Sequence, residues 1–96
     1  MKRATKIFCI VAYDVEDNRQ RDKISKLLEK YGMRINLSVF ECMFTDTQYK
    51  KVKEDIERRI DKRTDTLVYY PICVSCFTKI VYQPDRRKSI RTVKII

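Results

Sequence analysis

Two stretches of helical periodicity lie between apolar, β-prone runs, and no third amphipathic helix is present to cover a second sheet face. Together these predict an α+β fold of ferredoxin-like β-α-β-β-α-β type. The expected sandwich has one antiparallel sheet, two helices on one face and extra C-terminal strand or strands.

Residues 6–13, KIFCIVAY, form a near-continuous apolar run rich in β-branched and aromatic side chains, which suits a central strand buried on both faces. The polar VEDNRQ that follows offers Asp17 or Asn18 as an acceptor for the free N–H groups of a helix start. Ile24, Leu27, Leu28 and Tyr31 share one helical face, and Gly32, the only glycine, falls where a left-handed C-cap is wanted. The first helix is therefore placed at about 19–31. RINLSVFECMF, residues 34–44, reads as extended, but its alternation breaks at Asn36-Leu37-Ser38, which a kinked strand or a very tight hairpin would each explain. Thr45 and Gln48 make a capping box. The helix it opens carries Tyr49, Val52, Ile56 and Ile60 inward and should run to about residue 62. LVYYPI is the next strand, stopped by Pro71, and FTKIVYQ, after a short CVSC connection, reads as another. Pro84, Asp85 and the cluster Arg86-Arg87-Lys88 form a loop before a β-prone tail, RTVKII.

A chain of 96 residues is read as one domain, 1–96, with its core at about 6–83 and a basic tail at 84–96. Apolar residues make up 44% and charged residues 36%, a globular balance rather than the signature of disorder. Lys and Arg number 22 against 13 Asp and Glu, a formal charge of +9 that suits a polyanion. No basic amphipathic helix has a broad apolar face, and no apolar run approaches the roughly 18 residues that cross a bilayer. Nucleic acid is thus the expected partner, and a membrane is not. The start, MKRATKIFCIVAY, runs into Tyr13-Asp14-Val15-Glu16-Asp17 without a small-residue cleavage site, so it is read as a strand of the fold and the protein as cytoplasmic. Cys9, Cys42, Cys73 and Cys76 are then expected to be reduced. An edge-covering tail such as RTVKII suggests a homodimer in which it joins a partner's sheet.

The strand end and helix IVAYDVEDNRQRDKISKLLEKYG, the R.N.SVFEC segment, the capped second helix and DTLVYYPIC with its CxxC resemble the CRISPR-associated adaptation endoribonucleases. These are the small second Cas proteins that partner the integrase in spacer acquisition. The resemblance covers about residues 6–83. It implies a ferredoxin-like homodimer in which the aspartate ending the first strand faces its twin across the dimer axis and helps hold Mg²⁺ or Mn²⁺. Here that residue is Asp14, preceded by Tyr13 as in the family. Arg21, Arg34, Ser38 and Phe40 match positions that the resemblance associates with activity or backbone contact. PDRRKSIRTVKII departs from the family pattern, so the resemblance carries no dimer-closing or partner contacts there.

The residues themselves bear on this chemistry. Magnesium takes oxygen ligands and keeps several waters, so a symmetric pair of Asp14 carboxylates with substrate phosphate meets its minimum. The chain has no histidine, which excludes paired-histidine RNase chemistry and leaves metal-assisted hydrolysis. On local grounds alone Asp14 reads as a turn residue, and Asp17 as a helix cap. Arg86, Arg87 and Lys88, with Arg91, Lys94, Lys2, Arg3 and Lys6, are expected to touch phosphates without reading bases. Of Tyr69, Tyr70 and Tyr82, most are expected in the core.

Cys73 and Cys76 supply only two of the four ligands of a structural zinc site, and they do not open a helix after the first strand as thioredoxin-like cysteines do. They are read as incidental thiols. The expected function is metal-dependent endonuclease action on single-stranded RNA or duplex DNA in CRISPR adaptation. The alternatives are a non-catalytic dimer that bridges the integrase and binds duplex DNA, and an RNA-cleaving toxin of related fold. An RNA-recognition module is disfavoured, because the aromatic-glycine signature of its central strand is missing.

Overall fold

The computed structural model describes residues 5–84. β1 (Lys6–Asp14) lies inside a four-stranded sheet ordered β2-β3-β1-β4, with β2 at Gly32–Asn36, β3 at Val39–Thr45 and β4 at Thr66–Ile72. Every adjacent pair is antiparallel, and α1 (Asn18–Glu29) and α2 (Asp46–Arg59) make the crossovers. This is the ferredoxin-like arrangement predicted from the sequence. β3 and β4 both pair with β1 although they are distant in the chain, so its apolar run is flanked on each side.

Alternation along the strands divides the sheet into two unlike faces. Cys9, Val11 and Tyr13 of β1 and Phe40, Cys42 and Phe44 of β3 point to the helices and are buried with Ile24 and Leu28 of α1 and Val52 and Ile56 of α2. Tyr49, at the start of α2, stacks on Phe44 with ring centroids 5.6 Å apart and meets Tyr69 of β4 edge-on at 5.9 Å. Tyr69 is thus partly buried and packs against the core. Tyr70 faces the other way and is 51% exposed.

The helix boundaries follow their caps. The Asp17 carboxylate accepts from Gln20 N–H at 3.0 Å to start α1, one residue earlier than periodicity suggested. Both halves of the Thr45 and Gln48 capping box are formed, and α2 ends at Arg59, short of the predicted residue 62.

Gly32 corrects the sequence reading. α1 closes on Lys30 in a right-handed conformation, and no glycine has positive φ. Gly32 instead opens β2, where a Cβ would lie 1.8 Å from the Glu41 carbonyl oxygen and 2.7 Å from Cys42 Cα. The absence of a side chain lets β3 approach. The irregularity near Asn36 is a tight hairpin with a register shift between Arg34 and Asn36, so β2 carries both features the broken alternation allowed.

Three further expectations change. β4 continues through Pro71 to Ile72, which its edge position permits because the missing N–H is not needed by a neighbour. CVSC is not a plain connection: Val74–Phe77 form a helical turn, α3, with Cys73 as its N-cap. FTKIVYQ forms no strand among the described residues. Phe77 instead packs on Phe8 at 4.6 Å, covering a β1 side chain on the face that α1 and α2 leave open. Burial of that ring outweighs the local β preference. On the same face the Tyr82 hydroxyl donates to the buried Glu41 carboxylate. The predicted tail strand, with Arg86, Arg87 and Lys88, lies outside the described residues.

Replacing Gly32 by Ala is expected to destabilise the protein by about 2–3 kcal/mol, since the methyl group meets backbone that cannot rotate away. Thr45→Ala should cost about 1 kcal/mol by removing one cap. Urea unfolding midpoints would check both, and a Gly32→Ala midpoint equal to wild type would exclude the close-approach account.

Candidate metal and phosphate site at the end of β1

Strand β1 delivers Asp14 to the rim of an open depression of about 880 Å³, bounded by the β1–α1 loop, the first turns of α1 and the β2–β3 hairpin. Among the described residues no hydrogen bond or ion pair engages the exposed Asp14 carboxylate. Tyr13, one residue earlier, points to the helical face and is buried; its ring lies 6.3 Å from that of Phe40. Both rings therefore act on the site through the position of the strand end.

The hairpin is fastened to β1 at the same level. Tyr13 N–H donates to the Ser38 carbonyl at 3.0 Å, which brings Ser38 and Leu37 to the depression. Arg34 braces the hairpin from below: Nη1 donates to the Leu37 carbonyl at 2.9 Å and Nη2 to the Ser25 hydroxyl of α1. Its guanidinium also sits 5.4 Å from the centre of the Phe40 ring.

Arg21 does similar work on the opposite wall. Its Nη1 donates to the Val15 carbonyl at 2.9 Å and Nη2 to the Asn18 side chain, fixing the loop that follows Asp14. Arg19, in the same first turn of α1, is exposed at the same depression. The structure thus gathers Tyr13, Asp14, Arg21, Arg34 and Ser38 from four separate stretches of chain, with Phe40 beneath them.

The donor set can be tested against a cation. No group of three or more His, Cys, Asp or Glu side chains converges among the described residues. Within one chain, therefore, at most two such side chains, Asp14 among them, could share a cation. That is too few for a protein cage of the kind calcium or zinc uses, but it fits Mg²⁺, which retains waters and relies on one or two carboxylates plus substrate phosphate.

Asp65 is the residue that sequence reading missed. It is buried, and its Oδ1 accepts from Glu16 N–H at 3.0 Å while Oδ2 accepts from Asp61 N–H at 2.8 Å. The Thr64 hydroxyl adds a bond to Oδ1 at 3.0 Å. One carboxylate thereby joins the loop after Asp14 to the loop that enters β4. The Glu16 and Asp61 amides hold the Asp65 carboxyl below its ordinary value of 3.8. The only sequence signal was its place in a polar turn, KRTDT, a context shared by many solvated aspartates.

Because the folded value is depressed, this bond set stabilises the fold above pH 3.8 and its contribution disappears as pH falls below that through the folded value. Asp65→Asn should lower the unfolding midpoint at neutral pH, and its deficit against wild type should shrink in acid. An equal deficit at pH 7 and at about pH 2 would show that ionisation of Asp65 is unimportant.

The fold agrees with comparisons to known proteins. The family model for CRISPR associated protein Cas2 matches residues 7–80, from β1 through α3. The CRISPR-associated endoribonuclease Cas2 1 of Chloroflexus aurantiacus is 39% identical over 75 residues, which cover 77% of this chain and 81% of that protein. The crystal structure of Streptococcus pyogenes Cas2 at pH 6.5 has a TM-score of 0.71 at 26% identity, covering 78% of this chain and 96% of the other. A chain of a partial Cas6-RT-Cas1–Cas2 complex has a TM-score of 0.68 at 25% identity, covering 88% and 94%. With the motifs read from the sequence, the ferredoxin-like topology and a family match over most of its length, this chain belongs to the CRISPR-associated Cas2 family.

Proposed function

We propose that this protein acts in CRISPR adaptation as a homodimeric, metal-dependent endonuclease that hydrolyses phosphodiester bonds in single-stranded RNA or duplex DNA. Its protein partner would be the integrase Cas1. The observation that carries the reading is the free Asp14 carboxylate, held at the end of a central strand beside arginines that suit phosphate. The endoribonuclease name of the Chloroflexus relative supports the reaction class, and the complex containing Cas1 and Cas2 supports the partner.

In this reading Asp14 and its twin from a second protomer would hold Mg²⁺ or Mn²⁺. Such a cation, when bound, would supply Lewis-acid chemistry at the phosphodiester and lower the pKa of a bound water. The protein's own part is positional. The Ser38 and Asp65 bonds fix the backbone on either side of Asp14, and Arg21 keeps the following loop in place. Arg19 supplies an exposed cation for a neighbouring phosphate. With no histidine in the chain, no imidazole is available as the general base.

The second reading is a non-catalytic dimer that bridges the integrase and lays duplex DNA along its basic surface. The net charge of +9 favours it, since phosphate binding needs no metal.

Asp14→Asn separates the two. The residue is exposed, so the variant should fold, bind duplex as wild type does and lose metal-dependent cleavage by at least about 100-fold, the upper end of what changes around metal sites commonly cost. Cleavage of labelled RNA and duplex DNA would be followed with Mg²⁺, with Mn²⁺ and with EDTA. Wild-type rates that ignore EDTA, or a variant as fast as wild type, would sink the enzyme reading. Binding of duplex and integrase without cleavage would leave the scaffold.

A further inference from the structure

Cys73 and Cys76 lie beyond β4, whose last residue pairs with Phe8, six positions along β1 from Asp14. At the rise of a strand that is about 20 Å from the proposed phosphodiester site. Both thiols are exposed, unlike Cys9 and Cys42, which are buried and face each other across β1 and β3. Burial pushes Cys9 up to about 11 and Cys42 up to about 12, which keeps that pair protonated.

We propose that Cys73 and Cys76 form a redox modification site, a dithiol that a small-molecule disulfide converts into an intramolecular Cys73–Cys76 disulfide. Three features of the geometry carry this. The two residues are three apart on one helical turn, which Phe77 N–H closes onto the Cys73 carbonyl at 2.8 Å. Helical rise and radius put such Cα atoms about 5 Å apart, inside the span a disulfide requires. The thiols are unequal as well: the backbone N–H and thiol of Cys76 beside Cys73 lower Cys73, and Cys73 in turn raises Cys76. Cys73 is the attacking group and Cys76 the resolving one.

The exchange balances. Cys73 thiolate attacks one sulfur of the external disulfide, breaking its S–S bond and releasing one thiolate. Cys76, losing its proton to water, attacks the Cys73 sulfur of the mixed disulfide and expels the second thiolate. Two cysteine thiols are oxidised and one external disulfide is reduced to two thiols. A metal is the poorer occupant, because two thiolates are half of a tetrahedral set and no third ligand joins them among the described residues.

The test uses the whole protein, oxidised glutathione at neutral pH, and alkylation followed by peptide mass spectrometry. Wild type should lose two hydrogens, retain no glutathione and yield a bridged Cys73–Cys76 peptide that dithiothreitol reverses. Cys9 and Cys42 should be alkylated only after denaturation. Cys76→Ser should trap glutathione on Cys73, and Cys73→Ser should react about tenfold more slowly. A stable mixed adduct on wild type, a bridge between protomers, or equal rates for the two variants would overturn the proposal. So would protection of both thiols by stoichiometric Zn²⁺ added alone, which would reassign the pair to metal binding.

Discussion

Between Tyr13 and Glu16 the backbone is tied to two distant loops, and the candidate site depends on those two bonds. Tyr13 N–H reaches the Ser38 carbonyl of the hairpin, and Glu16 N–H reaches the Asp65 carboxylate before β4. Asp14 lies between them. An exposed acid at a strand end would ordinarily sample several backbone positions, but here its neighbours on both sides are fixed by partners 25 and 49 residues away in sequence. Position is thereby separated from stability: the carboxylate makes no structural bond among the described residues and remains available to ligands.

The arginines divide along the same line. Arg21 and Arg34 spend donors on carbonyls and side chains of the loops around Asp14, so part of their positive charge serves the architecture. Arg19 has no such commitment among the described residues. A phosphate entering the depression would meet a wall whose shape is set by bonded cations and whose charge is supplemented by a free one. This arrangement suits backbone contact without base readout, in keeping with the excess of basic residues across the chain.

The sheet's two faces show why one stretch of sequence misled. Under α1 and α2 the strands alternate cleanly and the core follows the pattern. On the opposite face Phe8 needs cover, and the chain supplies it by folding residues 74–77 into a helical turn that sets Phe77 on Phe8. A strand through FTKIVYQ would satisfy local preference but would pull Phe77 away. The same turn brings Cys73 and Cys76 together, which spacing alone could not establish. Val68 and Tyr70 of β4 stay partly exposed, 42% and 51% respectively.

Sequence by itself determined the alternation of strands and two helices up to β4, the capping box that opens α2, the inward faces of α1 and α2, and the motif that placed Asp14. These rest on local periodicity and hydrogen-bonding capacity, which a chain carries wherever it folds. Tertiary structure alone decided the role of Gly32, the clamp at Asp65 and the fate of the segment after β4. Each depends on what arrives from elsewhere: the β3 backbone against Gly32, the Glu16 amide at Asp65, the Phe8 ring beneath Phe77. A glycine, a turn aspartate and an aromatic have many local meanings, and only the neighbour that meets them selects one.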